Sequence, residues 1–109
     1  MFNLTKPIEI QVSGDKTEKI TKLELDFDAL TLADLKAAEK VKNMVSDGKA
    51  GVMDNSTFSA RLDDNLRIGV GWVAAMKANA NLTLTDALKL SVADSLRLSE
   101  TVLTEYFFL

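Results

Sequence analysis

Residues 24–41 read ELDFDALTLADLKAAEKV, and the spacing of apolar residues changes inside this stretch. Leu23, Leu25 and Phe27 alternate with Glu24 and Asp26, the period of a half-buried strand. From Thr31 the period lengthens: Leu35, Ala38, Val41 and Val45 share one helical face, with Lys36, Glu39, Lys40 and Asn43 opposite. The chain therefore passes here from strand to helix.

Upstream, Ile8, Ile10 and Val12 alternate with Glu9 and Gln11, and Gly14-Asp15 supplies a turn. The spacing predicts an antiparallel β-hairpin over residues 8–28. Ile20 is out of phase with Leu23, which calls for a bulge or a late strand start. A lone hairpin is barely stable, so this one must pack on helices or pair with another chain.

Downstream the pattern is helical. Helices are expected over 31–46, 57–80 and 91–107, with a short helix or turn over 83–89 and a flexible loop over 46–56. In the second helix Phe58, Leu62, Leu66, Gly69, Val73 and Met76 form the expected core stripe, flanked by Trp72 at the core edge. Gly69 within that stripe permits close approach of a neighbouring helix. In the last helix the stripe is Val92, Leu96, Leu103 and Phe107, with Asp94, Arg97, Thr101 and Thr104 facing away. The expectation is a single α+β domain over 1–109: an N-terminal antiparallel hairpin followed by three to four α-helices.

The phrase LTLADL at 30–35 returns loosely as LTLTDAL at 82–88 and LSVADSL at 90–96. Each copy places a Ser or Thr three residues before an Asp, as in a capping box: Thr31 with Asp34, Thr83 with Asp86, Ser91 with Asp94. Leu30 and Leu35 add a hydrophobic staple to the first copy. The irregular spacing of the copies argues for a helix-starting device rather than a structural repeat.

The chain has 109 residues and a net charge of −3, with no Cys and no His. Thiol nucleophiles, histidine bases and Cys or His metal sites are thereby excluded. Acidic and basic residues are mixed along the whole length, so the broad phosphate attraction of a nucleic-acid binder is missing. The longest apolar run, Ile68 to Met76, is far short of a membrane span. Lys6 and Pro7 interrupt the N-terminal stretch where a secretory leader needs its apolar run, so a cytoplasmic protein is expected. Asn3, Asn55 and Asn81 begin glycosylation sequons on paper, and read better as turn and cap residues.

Gly69-Val70-Gly71-Trp72-Val73-Ala74 matches a dinucleotide fingerprint, but the motif needs a preceding strand and here helical pattern runs through it. Asp63, Asp64, Asp86, Asp94 and Glu100 have no tight ligand spacing. No catalytic residue, cofactor or metal is expected. The chain ends in Tyr106-Phe107-Phe108-Leu109, where termini are usually polar. An aromatic end suggests a partner-binding or self-association surface, against the alternative that it folds back on its own domain. The candidate partner-contact residues are Tyr106, Phe107, Phe108 and Leu109, with Ile8, Ile10 and Val12 on the hairpin.

The order of these features, from about residue 20 onward, resembles the small tail assembly chaperones of long-tailed phages and prophages. An acidic strand end runs into a Leu-Thr-x-x-Asp-Leu helix start, an Ala-rich helix follows, and LTLTDALKLSVADSLRL precedes a short apolar end, EYFFL. The resemblance implies a non-enzymatic protein of the host cytoplasm that binds the tape measure protein and keeps its long apolar helices soluble during tail assembly. It carries over no catalytic residues. It also raises a frameshifted longer form, for which Phe107-Phe108 codons are a candidate slippery run. The alternatives are a virion structural tail protein, with the hairpin pairing between subunits, and a small prophage-encoded adaptor.

Overall fold

The computed structural model describes residues 2–45 and 55–107. The chain opens with an antiparallel hairpin, β1 (Phe2–Ser13) and β2 (Lys16–Leu23). A 3-10 turn at Phe27–Ala29 leads to α1 (Leu32–Val45), and α2 (Asn55–Ala78) follows. A second 3-10 segment, Leu84–Lys89, precedes α3 (Val92–Val102), which ends in one wide π turn, Leu103–Phe107. The architecture is α+β, a hairpin followed by helices, as the periodicity predicts.

The hairpin turns at Gly14, whose φ of +55° is the left-handed conformation that glycine adopts without strain. β1 is longer than expected and carries the irregularity. Asn3 opposes Lys22 and Ile8 opposes Ile20, so residues 4–7 of β1 stand against Thr21 alone. Pro7, which has no N–H to give a ladder, sits in this bulge. β1 keeps one alternation across the bulge, so Phe2, Leu4, Ile8 and Ile10 are all buried, and the break in phase falls on β2 at Thr21. Ile20 and Leu23 are also both buried, despite their odd spacing.

β2 ends at Leu23, earlier than its alternation predicts. Beyond it the chain bends towards the helices: Asp26 donates its N–H to the Ala74 carbonyl of α2 at 3.2 Å, and Phe27 enters the 3-10 turn. Leu25 and Phe27 then pack on the core from a connector rather than from a strand.

α2 is the central element. Every residue from Ile68 to Ala75 is buried, so this half of the helix is covered on all sides. The expected stripe residues Leu66, Gly69, Val73 and Met76 do pack inward, but Ile68, Val70, Trp72 and Ala74 are buried as well, because this half of the helix runs through the core and has no solvent face. Trp72 is fully buried rather than at the core edge, and its indole N–H donates to the Thr83 carbonyl at 2.8 Å. Gly69 and Gly71 explain how two helices reach α2. A Cβ at Gly69 would run into the Ala38 carbonyl of α1, and one at Gly71 would come within 2.8 Å of Leu98 and Val102 of α3. The apparent nucleotide fingerprint is thus a pair of helix-packing notches.

α2 starts two residues earlier than the spacing predicts, so Asn55 and Ser56 are helical. The rest of the expected 46–56 loop lies outside the described residues, as do the side chains of Phe58, Leu62, Asp63 and Asp64.

Candidate functional site

The three Ser/Thr–Asp pairs all form, in different ways. Asp34 Oδ2 accepts the Thr31 N–H at 2.8 Å, and Asp86 Oδ2 accepts the Thr83 N–H at 3.0 Å. Asp is therefore long enough for the reciprocal bond at both starts. The backbone N–H of Thr31 is the main reason that the Asp34 carboxyl lies below its ordinary range, with Lys77 at 3.3 Å assisting. At Asp86 burial opposes the charge, but Lys89 and Thr83 outweigh it and the carboxyl is again lowered.

The third pair departs from the pattern. Ser91 accepts the Asp94 N–H at 3.1 Å, which is half of a capping box. The Asp94 carboxylate does not reach back. It turns to β1 and accepts the Thr5 N–H at 3.0 Å, the Thr5 hydroxyl at 2.8 Å and the Lys6 N–H at 3.1 Å. Arg97 bonds the same carboxylate at 2.9 Å and the Asn3 carbonyl at 3.0 Å, while its guanidinium lies 4.9 Å from the centre of the Phe2 ring. Asp94 is fully buried, which corrects its expected place on the solvent face. Burial alone would raise its pKa; the Thr5 and Lys6 N–H groups, with the Thr5 and Ser91 side chains, hold it down at about 2.

The cluster has a structural logic. A bulge removes main-chain N–H groups from the β ladder, and buried donors need partners. Asp94 supplies acceptors for Thr5 and Lys6 at the start of α3, where the helix dipole also favours a negative charge. All buried side-chain polar atoms among the described residues have partners. The cluster is thus a closed brace between α3 and β1, with no orphaned group aimed at a ligand.

Because Asp94 points inward, α3 is rotated relative to its expected orientation. Its inner face is Asp94, Leu98 and Val102, with Ser99 accepting from Arg67 at 3.0 Å. The expected core stripe exists but faces outward: Val92 is 75% exposed and Leu96 54%. Leu88, in the preceding 3-10 segment and separated from α3 by the extended residues Leu90 and Ser91, is also exposed, and Leu103 in the following turn is half-buried. Val92 and Leu96, one turn apart on α3, thus form an apolar face that the domain's own core does not use. Leu32 and Leu35 at the start of α1 are exposed as well, so Leu35 does not share the buried face of Ala38 and Val41.

The expected contact residues fall differently. Ile8 and Ile10 are buried in the core, and Val12 packs against it half-buried, so the hairpin offers main-chain groups rather than these side chains. Tyr106 folds back, its ring stacked on Phe27 at 5.4 Å between centroids and 29° between planes. The side chain of Phe107, and Phe108 and Leu109 entirely, lie outside the described residues.

A cleft of about 220 Å³ opens between Phe2, Asn3, Leu25, Arg97, Thr101 and Glu105. It is smaller than the few hundred cubic ångströms usual for a small-molecule site. Its one guanidinium is already engaged by Asp94 and Asn3. Among the described residues there is no cluster of three or more acidic side chains able to hold a metal, and no helix long and apolar enough to cross a membrane. The candidate contact surface is the outward face of α3, where Val92 and Leu96 are exposed. Comparison of the chain with protein-family models, with curated proteins and with solved structures finds no match.

Proposed function

We propose that this protein is a non-catalytic tail assembly chaperone of a long-tailed phage or prophage. In this reading it acts in the host cytoplasm, binding apolar helices of the tape measure protein and keeping them soluble until tail subunits enclose them. The observation that supports the reading best is the outward apolar face of α3: Val92 and Leu96 lie on one face at i, i+4 spacing, largely exposed. That is the geometry by which an amphipathic helix docks on another. Isolated exposed apolar residues are ordinary, but aligned ones on a helix mark contact surfaces. The resemblance of residues 24–41 and 82–98 to the chaperone family supplies the partner's identity.

Co-expression with the tape measure protein tests the proposal. The partner is expected in the soluble fraction with the wild-type chain and in the pellet with the double variant Val92→Asp/Leu96→Asp. Equal insolubility of the partner with and without the wild-type chain rejects the chaperone reading.

A further inference from the structure

The charged side chains along α3 are not equally occupied. Asp94 and Arg97 are engaged with β1. Lys89, just before the helix, is held by the Asp86 carboxylate at 2.9 Å and donates to the Glu9 carbonyl at 2.8 Å. Glu100 and Glu105 are exposed, and among the described residues their carboxylates have no ion pair or hydrogen bond. Glu100 follows Leu96 at i, i+4, as Leu96 follows Val92, so the exposed apolar pair runs into an acid one turn further along the same side.

That acid is not alone. The connector after β2 comes alongside this end of α3: Leu25 shares a cleft with Thr101 and Glu105, and Phe27 stacks on Tyr106. Glu24, Asp26 and Asp28, which alternate with Leu25 and Phe27, are all exposed. Against these acids the adjoining chain offers one exposed base, Lys22 near the end of β2. The last carbonyls of the helix add the negative end of its dipole. Lys6, the basic residue of β1, lies at the other end of α3, where its N–H bonds Asp94. The outward side of α3 therefore runs from apolar at its start to acidic at its end.

We infer that the helix docked on this face is basic: its apolar i, i+4 pair lies on Val92 and Leu96, and its next turn sets Lys or Arg against Glu100. The inference rests on the reading of α3 as a helix-docking surface and adds the chemistry of the partner. Opposed charges across an interface select the partner and its register more than they add affinity. The apolar pair alone accepts any amphipathic helix, whereas the acid beside it rejects one that carries Asp or Glu there. A second copy of this chain does not meet the requirement. Its matching face offers the same acids, and the basic side chains bordering that face, Lys89 and Arg97, are already bonded to Asp86 and Asp94.

Two synthetic amphipathic peptides with one shared Leu/Ala stripe test this, the stripe flanked by Lys in one and by Glu in the other. In isothermal titration calorimetry at low ionic strength, the Lys peptide is expected to bind the wild-type chain about tenfold or more tighter than the Glu peptide, with the gap closing as salt is added. Glu100→Lys, its folding confirmed by circular dichroism, is expected to weaken the Lys peptide by about threefold or more and to strengthen the Glu peptide. Val92→Ser/Leu96→Ser, which leaves the charge unchanged, is expected to weaken the Lys peptide by about tenfold. Equal affinity for the two peptides overturns the inference and leaves α3 as a docking face of no charge preference. Binding of the Lys peptide that ignores Val92→Ser/Leu96→Ser is diffuse attraction to the acids, and overturns it as well, as does binding of neither peptide. If the tape measure protein stays insoluble beside the wild-type chain while the peptides behave as expected, the chaperone reading falls and the basic partner stands.

Discussion

A carboxylate at the third position of a helix is ordinarily a surface group bonded to its own helix cap. Asp34 and Asp86 both bond their own helix cap, although Asp86 is itself buried, and Asp94 does not. Its sequence context, Ser91-Val92-Ala93-Asp94, is indistinguishable from the other two, so nothing local marks it. The missing information is the β1 bulge, which lies 88 and 89 residues away and leaves the Lys6 and Thr5 N–H groups to be satisfied. The consequence is measurable. The carboxyl is held at about 2 against an ordinary 3.8, so the folded state prefers its charged form. The stability it contributes is complete above the unfolded value of 3.8 and is lost as pH falls from there through about 2. The size is on the order of 2 kcal/mol at neutral pH. Asp34 and Asp86 act with the same sign. Urea unfolding of Asp94→Asn is expected to show a loss of about 2–3 kcal/mol at pH 7 and a flatter decline between pH 5 and pH 2 than the wild type.

The two notch glycines differ in what they face. At Gly69 an added methyl meets main chain of α1, which cannot move aside; at Gly71 it meets side-chain atoms of Leu98 and Val102, which have more freedom than backbone although both are buried. Alanine gains about 1 kcal/mol of helix propensity at either site. Overpacking costs about 1–3 kcal/mol and is worst against backbone. Thermal unfolding should therefore show Gly69→Ala clearly destabilised, and Gly71→Ala less so.

At the level of elements, the hairpin and its turn were legible because alternation and Gly14-Asp15 are local signals. The helices were legible because their apolar spacing is strong over many residues. Two readings failed for physical reasons. The buried half of α2 carries no amphipathic stripe to read, since α1, α3 and the 3-10 segment cover it from different sides. α3 carries two apolar stripes, and choosing between them by counting hydrophobes favours the wrong one. Leu98 and Val102 face inward because Gly71 leaves room for them and Asp94 is needed at β1. The choice can be checked by mutation. Val92→Ser and Leu96→Ser are expected to change stability by no more than about 0.5 kcal/mol, as exposed positions do. Leu98→Ala is expected to cost about 2–5 kcal/mol. Chemical denaturation of the three variants discriminates the faces, and a large loss at Leu96 with a small one at Leu98 would restore the original stripe.

At the scale of the whole molecule, a few charged side chains brace separate parts of the chain, and some large apolar side chains stand outside. Asp94 and Arg97 fasten the start of β1, Lys89 fastens its middle, and Lys77 joins α2 to the start of α1. Among the described residues, large apolar side chains stand outward on α3, at Val92 and Leu96, and at the start of α1, at Leu32. Of the expected aromatic terminus, Tyr106 packs on Phe27. The candidate contact surface was present in the sequence as a stripe, but its direction was hidden in the long-range bonding of Asp94.

The central claim is that α3 presents its outer face to apolar helices of the tape measure protein. Methyl-selective NMR of the chain, titrated with a soluble amphipathic segment of that partner, tests it most directly. Saturable shifts centred on the methyl groups of Leu88, Val92 and Leu96, with those of Leu98 and Val102 much less affected, are the predicted result. Shifts clustered elsewhere on the molecule, or none at concentrations where the segment itself stays soluble, would contradict it.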